Sequence, residues 1–237
     1  MDAVIITSHY INKNICENLL NLIVNKNDSN REYFLLYHSE DEISIDVPFK
    51  KENIIKFTDN DMLEFSKFYK NAWFSLTEKL LFFFSLFKSY RNYWFIEYDI
   101  AYTGNDWTKL LDSIDQEFKK SDLITSGDYW VPSPDWFAYD SFEGFTVPKQ
   151  DMIASFIFMS RISNKLFSRM LNSKDFQSGY CELYFPVFAN ANGFTTASIP
   201  SKYISPIWAP HLKINEMSYQ ALKGNFPEML FHSITYN

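Results

Sequence analysis

Short apolar runs alternate with amphipathic stretches along the first half of the chain. Ala3-Val4-Ile5-Ile6-Thr7 reads as a strand leaving into the loop Ser8-His9-Tyr10. Over residues 14–24 the apolar positions Ile15, Leu19, Leu22 and Ile23 recur at helical spacing. Residues 33–37 and 54–57 read as further strands. Ser75 or Thr77 is placed to cap a helix running to about Tyr90. The apolar run 93–96 then reads as a buried strand ending at Glu97. Beyond it the pattern predicts a helix over 105–120, strands over 122–125 and 154–159, and helices over 163–171 and 181–189, with Gly193 near the end of the last. Residues 130–148 are rich in Pro, Trp, Asp and Gly and long for a plain connection, so they are expected to form a lid that orders over a ligand. The tail beyond Pro200 reads as irregular and aromatic. Strands alternating with helices predict an α/β fold. No repeat or linker divides the 237 residues, so one domain is expected.

Composition narrows the function. A net charge of -7 argues against a general nucleic-acid binder. It leaves room for a nucleotide, because one phosphate site needs only local charge or a metal. Aromatic residues make up 19% of the chain, more than a small core needs, so some rings are expected to line a groove. Cys16 and Cys181 lack metal or redox spacing, which fits a reduced, cytoplasmic setting. Met1-Asp2 leads straight into the first strand, so no signal peptide is expected. The longest apolar stretch, 80–87, is too short to span a bilayer and reads as a core helix. Peripheral contact with the inner face of a cytoplasmic membrane stays open. The abundance of Asn, Lys, Ile and Phe suggests an AT-rich, bacterial genome.

Candidate chemistry sits at the exit of the buried strand. In Trp94-Phe95-Ile96-Glu97-Tyr98-Asp99-Ile100-Ala101 two carboxylates are spaced i, i+2, which on a strand puts them on one face. Two acids there repel and cost desolvation energy unless a cation or sugar hydroxyl satisfies them. The pair suits a hard divalent metal holding a diphosphate. A strand running out into solvated acids has the same bare E-x-D pattern.

The segment Trp94-Phe95-Ile96-Glu97-Tyr98-Asp99-Ile100-Ala101-Tyr102-Thr103-Gly104 resembles the W-x-x-E-x-D-V-x-Y-x-G core of a group of glycosyltransferases of the GT-A type. Thr77-Glu78-Lys79 and Ser121-Asp122-Leu123 are also similar to that group. The resemblance implies a GT-A-like, Rossmann-like mixed sheet flanked by helices. It implies a nucleotide-binding half over about 1–104 and an irregular acceptor-binding half over about 105–237. The expected donor is a UDP-sugar, a UDP-hexose or UDP-galactofuranose, and the cofactor is Mn²⁺ or Mg²⁺. The expected acceptor is a glycan or lipid-linked glycan in bacterial surface polysaccharide or lipopolysaccharide synthesis. Asp99 fits the metal position. Glu97 departs from the usual first Asp, and is assigned to the metal, its water, the ribose or the sugar. His211, in Trp208-Ala209-Pro210-His211, is a candidate late metal ligand. Thr7, Ser8, His9 and Tyr10 after the first strand, and His38, Glu40 and Asp41 after the second, fall where such enzymes hold base and ribose. Lys79 and Arg161 are candidate phosphate contacts. Trp130, Trp136 and Tyr139 are a candidate sugar-stacking platform for the acceptor.

An inverting transferase needs a general base. Glu182, where Ser178-Gly179-Tyr180-Cys181 meets a predicted helix N-terminus, is the first candidate, ahead of Asp151 and Asp128. The helix dipole is expected to keep it ionised. A nucleotidyltransferase also uses strand-borne acids and a metal, but Ser8-His9-Tyr10-Ile11-Asn12-Lys13 lacks its usual glycine-rich basic loop. A catalytically silent binding module of the same fold is the other alternative.

Overall fold

The computed structural model describes residues 1–25, 27–40, 42–142, 147–173, 179–205, 212–214 and 216–236. Its strands are β1 (Asp2–Ser8), β2 (Arg31–His38), β3 (Ile54–Phe57), β4 (Asn92–Glu97), β5 (Ile100–Tyr102), β6 (Leu123–Thr125), β7 (Met159–Ser163), β8 (Thr196–Ser198), β9 (Leu212–Ile214), β10 (Leu230–His232) and β11 (Ile234–Tyr236). Seven form one mixed sheet in the order β3-β2-β1-β4-β7-β6-β8. β3, β2, β1 and β4 run parallel, and β7 pairs antiparallel with both β4 and β6. The protein is therefore an α/β fold, as its pattern predicts, with a mixed sheet flanked by helices, as the resemblance implies.

All seven residues of β1 are buried. Period-two alternation divides them between two cores. Ala3 and Ile5 join Tyr93 and Phe95 of β4 on one face, and Val4 and Ile6 join Trp94 and Ile96 on the other. The second face is covered by α1 (Lys13–Ile15), a π-helical segment (Cys16–Leu20), α2 (Asn21–Ile23) and α5 (Trp107–Glu117). The first is covered by α3 (Asp59–Phe65), α4 (Leu76–Leu86), α6 (Asn164–Leu171) and α7 (Cys181–Ala191). Helix α4 packs on the sheet and on α6 and α7, which is why Leu80, Leu81, Phe83 and Phe84 are all buried. Each such side chain contributes about 1.5–3 kcal/mol by leaving water.

This wrapping creates a switch point. The chain leaves β1 for β2 over one face and returns from β3 to β4 over the other. The crevice opens between β1 and β4, where Thr7 lies opposite Glu97. Ligands of open α/β sheets bind outside the strand ends at such a point.

Several elements differ from expectation. The strand predicted over 154–159 is β7, starting at Met159. Ala154 instead makes an isolated bridge to Trp130, with N–H···O bonds of 2.9 Å in both directions. That bridge, with buried Ala138 and Tyr139, packs the described part of the 130–148 loop against the body of the protein. Helix α4 ends at Leu86, and the Ser75 hydroxyl at its start accepts from Lys70 N–H rather than capping the helix. The tail holds β9, α8 (Glu216–Asn225), β10 and β11, three of them three-residue strands too short to show a period. β10 pairs with β5, which fixes the tail beside the acidic motif.

Arg161 is not at the switch point. It is buried at the far end of the sheet, where its Nη1 donates to Asp115 Oδ1 at 2.7 Å and its Nη2 to the carbonyls of Phe118 and Ser121. Arg31 holds the other Asp115 oxygen, also at 2.7 Å.

Candidate functional site

A cavity of about 560 Å³ occupies the switch point. Residues from both halves of the chain line it, among them Thr7, Ser8, His9, His38, Asp59, Lys79, Glu97, Asp99, Glu182 and His232. Strand β4 ends at Glu97, and Tyr98-Asp99 turns the chain into β5. The two acids therefore do not share one strand, as their spacing suggested. The turn is pinned by Tyr98 N–H donating to Thr7 O at 3.1 Å and Ile234 N–H donating to Asp99 O at 2.8 Å. Both carboxylates still reach the cavity.

β10 brings His232 onto them. His232 Nε2 lies 3.1 Å from Glu97 Oε2 and 3.7 Å from Asp99 Oδ1. Its ring stacks on Phe158 with centroids 4.4 Å apart and planes 8° apart, which fixes its orientation. One ligand atom from each of Glu97, Asp99 and His232 lies within 4.8 Å of the others. Among the described residues no hydrogen-bond donor reaches the buried Asp99 Oδ1, and burial together with the Glu97 charge holds its carboxyl well above the usual carboxylate range. Burial lowers the His232 pKa, but the Glu97 bond and the charges of Asp99, Glu97 and Glu182 outweigh it, so the net shift is upward. Two carboxylates and an imidazole so placed fit a divalent cation, which would satisfy the orphaned oxygen.

Glu182 lies in the first turn of α7. Burial and then the Glu97 charge push it up to about 8. The expected lowering by the helix dipole is outweighed, because the helix end carries only about half a charge while burial strips water from the whole carboxylate. Lys79, in α4, is lowered by burial, with Glu97 acting in the opposite sense. His9 is also lowered, by burial and by Lys79 and His38.

At the β2 edge, His38 Nε2 is 2.9 Å from Asp59 Oδ1, and the Tyr69 hydroxyl donates to the same carboxylate. Ser8 donates to the Tyr10 carbonyl, closing the loop after β1. Tyr10 lies outside the cavity lining, exposed, with its ring 6.5 Å from that of Tyr98.

Of the residues singled out in the sequence, Thr7, Ser8, His9, His38, Lys79, Glu97, Asp99 and Glu182 meet in this cavity. Trp130, Trp136 and Tyr139 do not line it. Trp130 and Trp136 pack edge to face, and Tyr139 is buried beneath the Lys149 ammonium. Asp41 and His211 lie outside the described residues. Sequence reasoning missed His232 and Asp59. Among the described residues the late histidine beside the two acids is His232, and nothing local in the sequence marks it. Thr58-Asp59-Asn60-Asp61 carries a helix-cap signal, which Thr58 and Asp61 fulfil as a capping box.

No protein-family model matches the chain, and no curated protein sequence matches it. Its fold is similar to solved glycosyltransferases. Mouse xyloside xylosyltransferase 1 aligns at 9% identity and TM-score 0.45, over 98% of this chain and 97% of that one. The galactosyltransferase LgtC, solved with donor and acceptor sugar analogs, aligns at 12% identity and TM-score 0.46, over 98% and 86%. The bifunctional glycosyltransferase WbbM aligns at 13% identity and TM-score 0.46, over 99% and 46%. Among the described residues no helix is long and apolar enough to cross a membrane.

Proposed function

We propose that the chain is a metal-assisted, inverting glycosyltransferase that moves a sugar from a UDP-sugar to a glycan or lipid-linked glycan on the cytoplasmic side of a bacterial membrane. The observation that carries this reading is the cluster of Glu97, Asp99 and His232 in the switch-point cavity, with a buried Asp99 oxygen that no donor reaches among the described residues, beside a third, half-buried acid, Glu182.

Asp99, Glu97 and His232 would hold Mn²⁺ or Mg²⁺, which when bound neutralises a diphosphate leaving group. Thr7, Ser8 and His9 after β1, with His38 and Asp59 at the β2 edge, would take the nucleoside. Lys79 would add positive charge toward the phosphates. In the transfer itself the acceptor oxygen forms a bond to the anomeric carbon. The bond from that carbon to the phosphate oxygen breaks, and its electron pair leaves with the diphosphate. Glu182 accepts the proton that the acceptor hydroxyl loses.

The test is a thermal-shift screen of UDP, CDP and GDP with and without Mn²⁺. The expected result is a rise with UDP that requires Mn²⁺. A ligand binding only the folded chain at ~100 times its Kd adds about 2.7 kcal/mol. No shift with any of the three would overturn the reading. Metal-dependent UDP-sugar hydrolysis then separates an enzyme from a silent binding module.

A further inference from the structure

Among the described residues, Trp73 and Phe137 are 67% and 61% exposed, an unfavourable display for two large rings. They are close to parallel, with centroids 5.9 Å apart and planes 29° apart. Tyr180 stands against both, 4.9 Å from Phe137 and 5.6 Å from Trp73. The three rings form one cluster, with Trp73 and Phe137 stacked and Tyr180 tilted against both.

Hydrogen bonds tie down the backbone that carries the rings. Asn71 Oδ1 accepts from Trp73 N–H at 3.1 Å and Phe74 N–H at 2.9 Å, which fixes the turn that presents Trp73. Phe137 projects from a loop whose next two residues, Ala138 and Tyr139, are buried. Ser141 Oγ accepts from Tyr180 N–H at 3.0 Å, tying that loop to the start of α7. Rings already in place lose little freedom on binding.

Trp73, Tyr180 and Asn71 also line the cavity that contains Glu182. We propose that Trp73, Phe137 and Tyr180 are the acceptor subsite: they take the C–H face of a pyranose and turn one of its hydroxyls toward Glu182. The role of that sugar as acceptor rests on the transferase reading. An aromatic face suits a sugar because one side of the ring is apolar while its rim is hydroxylated. A polar rim here is offered by Asn71. An anionic lipid surface is a poor match for a chain of net charge -7.

The experiment titrates methyl α- and β-glucopyranosides and galactopyranosides into the protein by saturation-transfer NMR, with and without UDP and Mn²⁺. At least one glycoside should bind. Trp73→Ala and Phe137→Ala should each weaken it roughly five- to tenfold, the scale of one ring contact. Trp73→Phe should restore most of the loss. Both side chains are exposed, so the variants should melt close to wild type. Equal binding by wild type and variants, or no binding of any glycoside, overturns the proposal. Co-sedimentation with phosphatidylglycerol/phosphatidylcholine vesicles that the Ala variants abolish would also overturn it. Metal-dependent UDP binding is scored separately, so loss of the transferase reading and loss of the ring platform are distinguishable.

Discussion

Replacing Asp99 by Asn should stabilise the metal-free protein and abolish its response to Mn²⁺. The carboxylate oxygens of Glu97 and Asp99 lie within 4.8 Å. At an effective dielectric near 20, two charges at that distance repel by about 3 kcal/mol. His232, 3.7 Å from Asp99, offsets part of this. Desolvation adds to the cost, since Asp99 Oδ1 is buried with no donor among the described residues. The ionised side chain is therefore a net burden without a cation. Removing its charge at pH 8 should gain about 1–2 kcal/mol, allowing for the lost attraction to His232. For a chain of this length 1 kcal/mol moves Tm by roughly 2–4 °C, so a rise of a few degrees is expected in EDTA. With Mn²⁺ and UDP the order should reverse: wild type gains stability and Asp99→Asn does not. Scanning fluorimetry in the two buffers reads both signs. A variant that melts lower than wild type in EDTA would mean that the carboxylate holds the fold together. A variant with the wild-type Mn²⁺ shift would remove Asp99 from the metal.

Glu182→Gln should keep Mn²⁺-dependent UDP affinity and lower transfer by roughly 10²–10⁴-fold, the usual value of a positioned acid or base. Near-normal turnover would exclude Glu182 as the base, and NMR of the first-formed product would test inversion directly. Asp99, Glu182 and His232 all have folded pKa values above their ordinary ones. Groups raised in this way contribute fully at low pH and lose that contribution as pH rises through the folded value. For Glu182 the window is about pH 4.5 to 8. Urea denaturation of the metal-free protein should show stability falling across it, with a shallower fall in Glu182→Gln; a rising curve would contradict the assignment. Asp115→Ala should cost about 3–5 kcal/mol, because it strips a shared carboxylate from buried Arg31 and Arg161. A loss under about 1 kcal/mol would show that the remaining partners suffice.

How much of this was legible in the chain depends on the range over which each signal acts. The uninterrupted apolar runs Ala3-Val4-Ile5-Ile6 and Tyr93-Trp94-Phe95-Ile96 marked two buried strands, and the structure shows a core on each face of both, because side chains alternate in direction along a strand. The motif around Glu97 and Asp99 located the acids. Its Tyr102 and Gly104 also have a local reason: a Cβ at Gly104 would come within 2.2 Å of the Tyr102 ring. Glu182 was found because it sits at the start of a helix visible in the pattern. What the sequence left open is everything set by strand order. His232 lies 135 residues beyond Glu97, on a three-residue strand with no period to read, and reaches the acids only because β10 pairs with β5. Asp59 meets His38 because β3 lies beside β2. Trp73 meets Phe137 through the packing of two loops, where periodicity says nothing. The pKa of Glu182 was expected to fall and rises instead, because burial depends on how the whole chain encloses the cavity. Local pattern reports the face a residue takes within its own element; which elements become neighbours, and how far water is excluded between them, is decided only when the sheet is assembled.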